Sequence, residues 1–152
     1  VVIDCDVHQG NGTAAIFCQN PEVFTFSIHQ ERNYPTPKQT SDCDIGLPNR
    51  TNDEEYLAHL TEKLPPCLER FEPELVIYAA GADPYAKDEL PSTRPLGLTR
   101  DQLFDRDRLV YRFLQEREIP HAGLMAGGYG DHAWEIYSRY LTWALGESLG
   151  ED

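Results

Sequence analysis

The chain has 152 residues, the length of a single domain, and 40% of them are hydrophobic, which is enough to build a core. It has 26 acidic and 13 basic residues, and the resulting net charge of −13 argues against nucleic acid as a partner because phosphates would be repelled. No apolar run is long enough to span a bilayer, so we expect no membrane insertion.

The first stretch of the chain has the strongest functional signal. Val1 to Ile3 predict a buried strand, and Asp4, Asp6 and His8 follow at every second position. Alternate residues of an extended chain share one face, so the two carboxylates and the imidazole point the same way. Carboxylates ~7 Å apart repel by roughly 2 kcal/mol at an effective dielectric of ~20, which favours a cation beside them. The alternative is a strand that ends in a solvated polar turn.

The middle of the chain alternates between helical and strand patterns. It predicts in turn a short helix, a strand, a proline-containing loop, a short strand and a long helix: Thr13–Cys18, Val23–His29, Glu31–Asp42, Ile45–Leu47, and a segment from an Asn52 or Asp53 cap to about Arg70. Apolar residues recur at helical spacing in the long helix and predict a core stripe: Tyr56, Leu57, Leu60 and Leu64. We expect Pro65 and Pro66 to bend or interrupt this helix.

The last third of the chain continues the alternation. The apolar run Leu75–Ala80 predicts a strand covered on both faces, and Ala122–Ala126 predicts another buried strand. Between them, a helix starts at Thr99, a good N-cap with Gln102 as its capping-box partner, and reaches about Glu118. A last helix begins at Asp131, and its predicted inner face consists of Trp134, Tyr137, Leu141 and Leu145.

Strands that alternate with helices predict an α/β fold with a parallel sheet covered on both faces. In open parallel sheets, ligands lie beyond the carboxyl ends of the strands. Three of the predicted strand ends have polar groups: the Asp4, Asp6 and His8 set, then Asp83, then Tyr129. We expect these groups to converge at one edge of the sheet.

Two aspartates and a histidine suit a divalent metal, zinc first. Asp6, His8 and Asp83 would supply three ligands and leave one position for water or substrate, as in catalytic zinc sites. The metal would polarise a carbonyl and lower the pKa of its bound water to ~7. Tyr129, on its glycine turn, would donate a hydrogen bond to a developing oxyanion, and loss of such a donor typically costs ~10²–10³ in rate. The alternative role for Tyr129 is that of a buried aromatic residue.

Three motifs, in this order along the whole chain, resemble the zinc-dependent histone deacetylase family: Asp4-Cys5-Asp6-Val7-His8-Gln9-Gly10-Asn11-Gly12, Gly81-Ala82-Asp83 and Gly127-Gly128-Tyr129. The family includes acetoin-utilisation proteins and acetylpolyamine amidohydrolases. The His-Gln-Gly-Asn-Gly form is most similar to class IV and related bacterial members.

The resemblance implies an arginase/deacetylase-like, three-layer α/β/α sandwich with a mainly parallel sheet. It implies that Zn²⁺ is held by Asp6, His8 and Asp83, and that Tyr129 is the transition-state donor. It also implies that Asp4 orients a catalytic histidine, with Asn11 where many members have a second orienting aspartate.

The resemblance implies two further features near the site. The first is K⁺ bound by main-chain oxygens around Asp4, Asp6, His8, Ser27 and Ile28. The second is an acyl-lysine channel lined by Tyr34, Gly127 and Gly128, although the loop around Tyr34 departs from the common glycine-rich form.

The catalytic histidines depart from the family pattern. The family's histidine pair precedes the Asp4 motif, whereas nothing in this sequence precedes Val1, and the other histidines match no catalytic position: His29, His59, His121 and His132. We therefore expect residues 1–152 to be the C-terminal part of a single deacetylase-like catalytic domain, incomplete at the N-terminus. Since a general base typically contributes ~10²–10⁴ in rate, this part alone should be weak or inactive.

The sequence thus predicts a zinc amidohydrolase that removes the acetyl group from acetyl-lysine in a histone or another protein, or from an acetylpolyamine. Metal-activated water would attack the amide carbonyl. Two alternatives stay open: a magnesium phosphohydrolase with Asp4 as nucleophile, and a non-catalytic deacetylase-like module. The four cysteines are widely spaced and form no Cys-x-x-Cys pair, which indicates a reducing cytoplasm rather than a disulfide framework.

Overall fold

The computed structural model describes residues 1–149, which form one parallel five-stranded sheet and four helices. The elements are β1 Val2–Asp4, α1 Asn11–Phe17, β2 Thr25–Gln30, β3 Cys43–Leu47, α2 Asp53–Phe71, β4 Val76–Ala80, α3 Arg100–Glu116, β5 His121–Met125 and α4 Ala133–Leu149. The strand order is β3-β2-β1-β4-β5. The predicted α/β fold is confirmed, while the last three residues of the expected domain lie outside the described residues.

The strand order reverses at β1. Asp4 lies opposite Ser27 of β2 on one side and opposite Ala79 of β4 on the other. The chain moves outward from β1 to β3 and then returns to the other side of β1 for β4 and β5. Because crossovers between parallel strands are right-handed, α1 lies on one face of the sheet and α2 and α3 lie on the opposite face. The boundary between β1 and β4 is therefore the switch point at which such sheets bind ligands.

The main core lies between the sheet and the helices α2 and α3. Ile3, Tyr78 and Leu64 are all fully or almost fully buried in this layer. On the α1 side, the β4 residues Ile77 and Ala79 are only half-buried, because the short α1 is the helix that covers this face within residues 1–149. The alternation of buried and half-buried residues along β4 follows directly from the pleat of the strand.

Both long helices on the core side begin at side-chain caps. Asn52 caps α2 in a complete capping box with Glu55, as its sequence position predicted. Thr99 caps α3 by accepting a hydrogen bond from the N–H of Gln102 at 3.1 Å. The expected return bond from Gln102 was wrong: the N–H of Thr99 donates instead to Asp53 Oδ1 at 3.1 Å, so α2 itself supplies the partner.

Pro65 and Pro66 were predicted to bend or interrupt α2, and the interruption was wrong, because the helix continues through both prolines to Phe71. Each proline lacks an N–H and so frees one carbonyl four residues earlier, on Thr61 and Glu62. Both of these residues are exposed, so water can satisfy their carbonyls. The apolar stripe of the helix stays packed on the other side, which keeps the helix continuous.

The prediction of buried surfaces on β5 and α4 was also wrong. β5 is an edge strand in the described part of the chain, and its residues Leu124 and Met125 are 50% and 70% exposed. On α4, most of the predicted inner face is exposed and Tyr137 is half-buried: Trp134, Leu141 and Leu145 are the exposed members. Ile136 and Tyr140 pack inward instead. The helix is apolar on more than one side, so periodicity alone does not select the side that faces the sheet.

The structure also bears on membrane-spanning helices and on the state of the cysteines. Within residues 1–149, no helix combines the length and the apolar character needed to cross a membrane. All four cysteines are free thiols: Cys5 is buried, Cys18 is exposed, and Cys43 and Cys67 are half-buried.

Candidate metal centre

The ends of β1 and β4 bring three metal-ligating side chains together. Asp6 and His8 follow β1, and Asp83 follows the neighbouring strand β4. One ligand atom from each lies within 4.8 Å of the others. His8 Nδ1 is 3.0 Å from Asp6 Oδ1 and 3.4 Å from Asp83 Oδ2. The structure therefore places the three predicted ligands at one point beyond the carboxyl edge of the sheet.

Main-chain N–H groups hold the carboxylates in place. Asp6 Oδ1 accepts from the N–H of His8 at 2.9 Å, and Asp6 Oδ2 accepts from the N–H of Gly127 at 2.9 Å. Asp83 Oδ1 accepts from the N–H of Val7 at 2.9 Å. Asp6 thus joins the end of β1 to the loop after β5, and Asp83 joins the end of β4 to the end of β1. The orientation of both carboxylates is set before any ligand binds.

Two glycines allow this close approach. A Cβ on Gly127 would collide with Asp83 Oδ2 and Asp6 Oδ2, so only glycine fits between these carboxylates and the loop after β5. A Cβ on Gly81 would lie 2.6 Å from the Cα of Asp6. Gly128 has a φ of 144°, which also favours glycine in this loop.

One buried carboxylate oxygen has no hydrogen-bond donor. Asp83 Oδ2 is buried and unpaired within the described residues. A buried polar atom without a partner is costly, and a cation between the three side chains would remove that cost. Imidazole nitrogens and carboxylate oxygens are both ligands that Zn²⁺ uses, and three protein ligands leave the fourth position open, as in catalytic sites. The residues present therefore fit a divalent metal.

Crowding and burial shift the pKa values of this cluster. The hydrogen bond with Asp6 and the nearby carboxylate of Asp83 raise the pKa of His8 to about 9. Burial raises the pKa of Asp83 to about 6 and that of Asp4 to about 7. Burial also acts upward on the pKa of Asp6, but its hydrogen bonds with His8 outweigh burial and hold it below the ordinary value. At neutral pH the proton on His8 therefore occupies the position that a metal would take.

Tyr129 follows β5 and is held by its main chain. Its N–H donates to Asp88 Oδ2 at 2.7 Å, and its carbonyl accepts from the N–H of Glu89 at 2.9 Å. Asp88 is buried and its other oxygen accepts from Leu90 and Thr93, each at 2.9 Å. Burial and the charges of Asp83 and Asp6 raise the pKa of Tyr129, so its phenol is a donor at neutral pH.

Asp4 and Asn11 have no histidine partner in the described part of the chain. Asp4 Oδ1 accepts from the N–H of Asp6 at 3.0 Å. Asn11 begins α1, and its N–H donates to the carbonyl of Gln9 at 2.7 Å. The orienting roles predicted for Asp4 and Asn11 stay predictions.

The segments predicted to bind K⁺ lie side by side. Asp4 pairs with Ser27, and the N–H of Gln30 donates to the carbonyl of Val7 at 2.9 Å, so the chain from Asp4 towards His8 runs along β2. Ser27 and Ile28 are both buried. The K⁺ site stays a prediction on this geometry.

Tyr34 lies on the rim of the cluster. It is 69% exposed, and its ring centroid is 6.3 Å from that of His8 in an edge-on arrangement. Gly127 and Gly128 lie on the other side, in the loop after β5. The substrate channel predicted from these three residues remains a prediction.

Comparison with known proteins identifies the family. The histone deacetylase domain model matches residues 1–145. The chain belongs to the histone deacetylase family. An uncharacterized Picosynechococcus protein is 41% identical to this deacetylase-family chain over 140 residues, which cover 92% of the chain and 46% of that protein. Histone deacetylase 2 of Arabidopsis thaliana is 35% identical over 135 residues, covering 85% of the chain and 33% of that protein.

A solved structure agrees on the fold. The acetylpolyamine aminohydrolase of Burkholderia pseudomallei matches with a TM-score of 0.78 at 22% identity, over 95% of this chain and 44% of that chain. At this identity the match establishes the fold alone. The chain spans less than half the length of each of these three relatives.

The sequence pattern does not identify Asp88 and Glu89 as residues that hold the loop of Tyr129. Both lie in a segment between β4 and α3 that has no helical or strand periodicity. An acidic residue in such a loop looks solvated from the sequence alone. The only available signal was its position a few residues after Asp83, on the side of the sheet that binds ligands.

We expect Asp88→Asn to loosen the main chain of Tyr129. The asparagine side chain has the same size but only one acceptor oxygen. It therefore cannot bind Thr93 with one oxygen and the N–H of Tyr129 with the other, as Asp88 does. A hydrogen bond to a charged group contributes ~1.5 kcal/mol or more, so exchange of the Tyr129 amide proton should accelerate at least roughly tenfold in NMR hydrogen exchange. Glu89→Gln is the matched control, because it keeps the Glu89 N–H. Unchanged exchange in Asp88→Asn would contradict this role.

We expect Zn²⁺ affinity at this cluster to rise with pH. The pKa of His8 is about 9, and an imidazole ligand must be neutral, so binding releases its proton. Between about pH 7.5 and 9 the affinity should therefore rise roughly tenfold per pH unit. Competition with a chelator, corrected for the chelator's own protonation, measures this slope above the pKa values of about 6 for Asp83 and about 7 for Asp4, where those two acids are already ionised. His29 adds nothing in this range, because burial lowers its pKa to about 4. An affinity independent of pH would show that His8 does not give up a proton.

Proposed function

We propose that this chain is part of a zinc-dependent deacetylase that hydrolyses the amide of an acetylated amine. The acetylated amine is acetyl-lysine in a histone or another protein, or an acetylpolyamine. The observation that carries the proposal is the convergence of Asp6, His8 and Asp83 at the switch point of a histone deacetylase-family sheet. Tyr129 follows the next strand along the sheet.

The proposed roles follow from the contacts of these residues. Asp6, His8 and Asp83 would hold Zn²⁺, which supplies an activated water and polarises the amide carbonyl when bound. Asp6 and Asp83 already accept main-chain hydrogen bonds, so they need little reorientation. The Tyr129 phenol would donate a hydrogen bond to the carbonyl oxygen as negative charge develops there. Asp88 would keep the main chain of Tyr129 in position.

Charge and surface shape support an amine substrate. The net charge of −13 favours substrates that have further positive charges, as histone tails and polyamines do. Tyr34 would form one wall of the channel that admits the acetylated side chain, with Gly127 and Gly128 opposite. We propose the cytoplasm as the location, and the four free thiols in the described residues support this proposal.

We also propose that residues 1–152 are the C-terminal part of a single catalytic domain and are weakly active alone. Within residues 1–149, no histidine hydrogen-bonds to Asp4, so a general base is not in place there. The exposed residues of β5 and α4 border a groove of about 570 Å³ lined by Leu124, Met125 and Leu141. An apolar edge strand of this kind is typical of a sheet that continues. Further residues of a longer chain would cover this face.

The mass of the native protein tests the domain proposal. Because this chain covers 44% or 46% of two relatives, we expect a native chain of about twice 17.3 kDa. The longer chain should deacetylate an acetyl-lysine peptide at least ~100-fold faster than residues 1–152, since a positioned base contributes that much. A native chain of 17.3 kDa with full activity would contradict the proposal.

We expect the intact protein to bind one Zn²⁺ and Asp83→Asn to lose this binding. Replacing one of three protein ligands should weaken Zn²⁺ binding by more than the ~10–100-fold that loss of an outer partner costs. Metal analysis after gel filtration and chelator competition measure both. Asp131→Asn is the control, since Asp131 is an exposed acid in the loop after β5 and outside the cluster.

Activity and metal-binding assays distinguish the proposed deacetylase from a non-catalytic module and from a phosphohydrolase. Deacetylation that a chelator abolishes and Zn²⁺ restores supports the proposal, and turnover that is insensitive to chelators contradicts it. A folded protein that binds no metal supports a non-catalytic module instead. Magnesium-dependent phosphatase activity would support a phosphohydrolase, which membership in the histone deacetylase family argues against.

A further inference from the structure

A buried arginine lies behind the proposed metal site. Arg106 is on α3, and its side chain is 0% exposed. A guanidinium in a protein core is uncommon unless its charge is paired and its donors are used. The partners of Arg106 are therefore informative about why the charge is there.

One nitrogen of Arg106 bridges the two strand ends that lead to the cluster. Arg106 Nη1 donates to the carbonyl of Cys5 at 3.1 Å and to the carbonyl of Gly81 at 2.7 Å. Cys5 immediately precedes Asp6, and Gly81 lies two residues before Asp83. The last main-chain hydrogen bond between these strands in the described residues runs from the N–H of Cys5 to Ala79 at 3.0 Å. Beyond this point the guanidinium of Arg106 joins the segment that follows β1 to the segment that follows β4.

The guanidinium is itself held by an acid, which in turn accepts a hydrogen bond from a tyrosine. Asp107 Oδ1 accepts from Arg106 Nε at 2.8 Å and lies 2.8 Å from Nη2. The same oxygen accepts from the hydroxyl of Tyr78 on β4 at 2.5 Å. Asp107 and Tyr78 are each 1% exposed. These contacts fix the plane of the guanidinium and leave Nη1 directed at the two carbonyls.

The place of this bridge matters for the cluster in front of it. The strand ends approach so closely here that a Cβ on Gly81 would lie 2.6 Å from the Cα of Asp6. The side chains of Cys5 and Asp6 point to opposite faces of the strand end, so Arg106 acts from the core side while the ligands face the site. A change in the separation of the two carbonyls would directly change the distance between Asp6 and Asp83.

We propose that Arg106 is a positioning residue of the metal centre, which sets the spacing of the strand ends that bear Asp6 and Asp83. The inference rests on the proposed function, since it assigns Arg106 a role in metal binding. Its direct consequence is that Arg106 controls the affinity and the geometry of the bound ion without touching it.

The decisive variant replaces the charged pair by a neutral pair. Arg106→Met with Asp107→Asn removes the bridge and avoids the buried, unpaired carboxylate that Arg106→Met alone would leave. Tyr78→Phe is the matched control, because it disturbs the same buried network but leaves both carbonyl contacts of Arg106. Arg106→Lys is the conservative variant: it keeps the buried charge but lacks the planar fork that bonds two carbonyls and Asp107 together.

The measurements separate metal binding from folding. Zn²⁺ affinity is measured by chelator competition, ligand geometry by the visible spectrum of bound Co²⁺, and folding by circular dichroism. The double variant should bind Zn²⁺ ~10–100-fold more weakly, as for outer partners of metal ligands, with an altered Co²⁺ spectrum. Tyr78→Phe should stay within about twofold of the wild type, with Arg106→Lys between the two.

Two results would overturn the inference. One is a folded double variant with the Zn²⁺ affinity and Co²⁺ spectrum of the wild type. If the double variant does not fold, Arg106→Lys with wild-type affinity and spectrum overturns it equally. A wild-type protein that binds no Zn²⁺ overturns the proposed function, and that result is distinct from both.

Discussion

Two neighbouring strands of this sheet end in carboxylates that lie close enough to repel each other, and the surrounding structure holds them there. Asp6 and Asp83 share His8 Nδ1 at 3.0 and 3.4 Å. Two features oppose the repulsion, namely the main-chain N–H donors on both acids and the proton on His8. Behind the strand ends, Arg106 donates to the carbonyls of Cys5 and Gly81. Negative charge maintained at such a cost is typical of a site that binds a cation.

The elements around the cluster are arranged so that the carboxylates of Asp6 and Asp83 can lie close together. Gly81 and Gly127 stand where a side chain would collide with the acids, so the loops after β4 and β5 can reach them. Tyr137 ties these two loops together, since its hydroxyl donates to the carbonyl of Gly127 at 2.6 Å and accepts from the N–H of Ala82 at 3.1 Å. The side of the sheet that faces α2 and α3 is densely packed, whereas the β5 edge is open.

The sequence predicted the strands and the convergence of Asp6, His8 and Asp83 because parallel strands end at one edge, whatever the details of packing. The sequence could not predict that Arg106 is buried, since Arg106 and Asp107 in the charged helix α3 look like a solvated pair. The continuity of α2 through Pro65 depended on whether the freed carbonyls face water, which only the fold decides. Which side of α4 is exposed depends on the elements that pack beside β5, and the hydrophobic pattern of α4 does not specify them. Local patterns therefore predicted elements and their order, while burial of charges and helix orientation required the tertiary structure.

The location of a bound metal tests the central claim most directly. Crystals grown with Zn²⁺ and measured on both sides of the zinc absorption edge give the ion's position independently of any activity. We predict a single anomalous peak ~2.0–2.2 Å from a nitrogen of His8 and from one oxygen each of Asp6 and Asp83. A zinc peak elsewhere, or one that Asp83 does not ligate, would contradict the account.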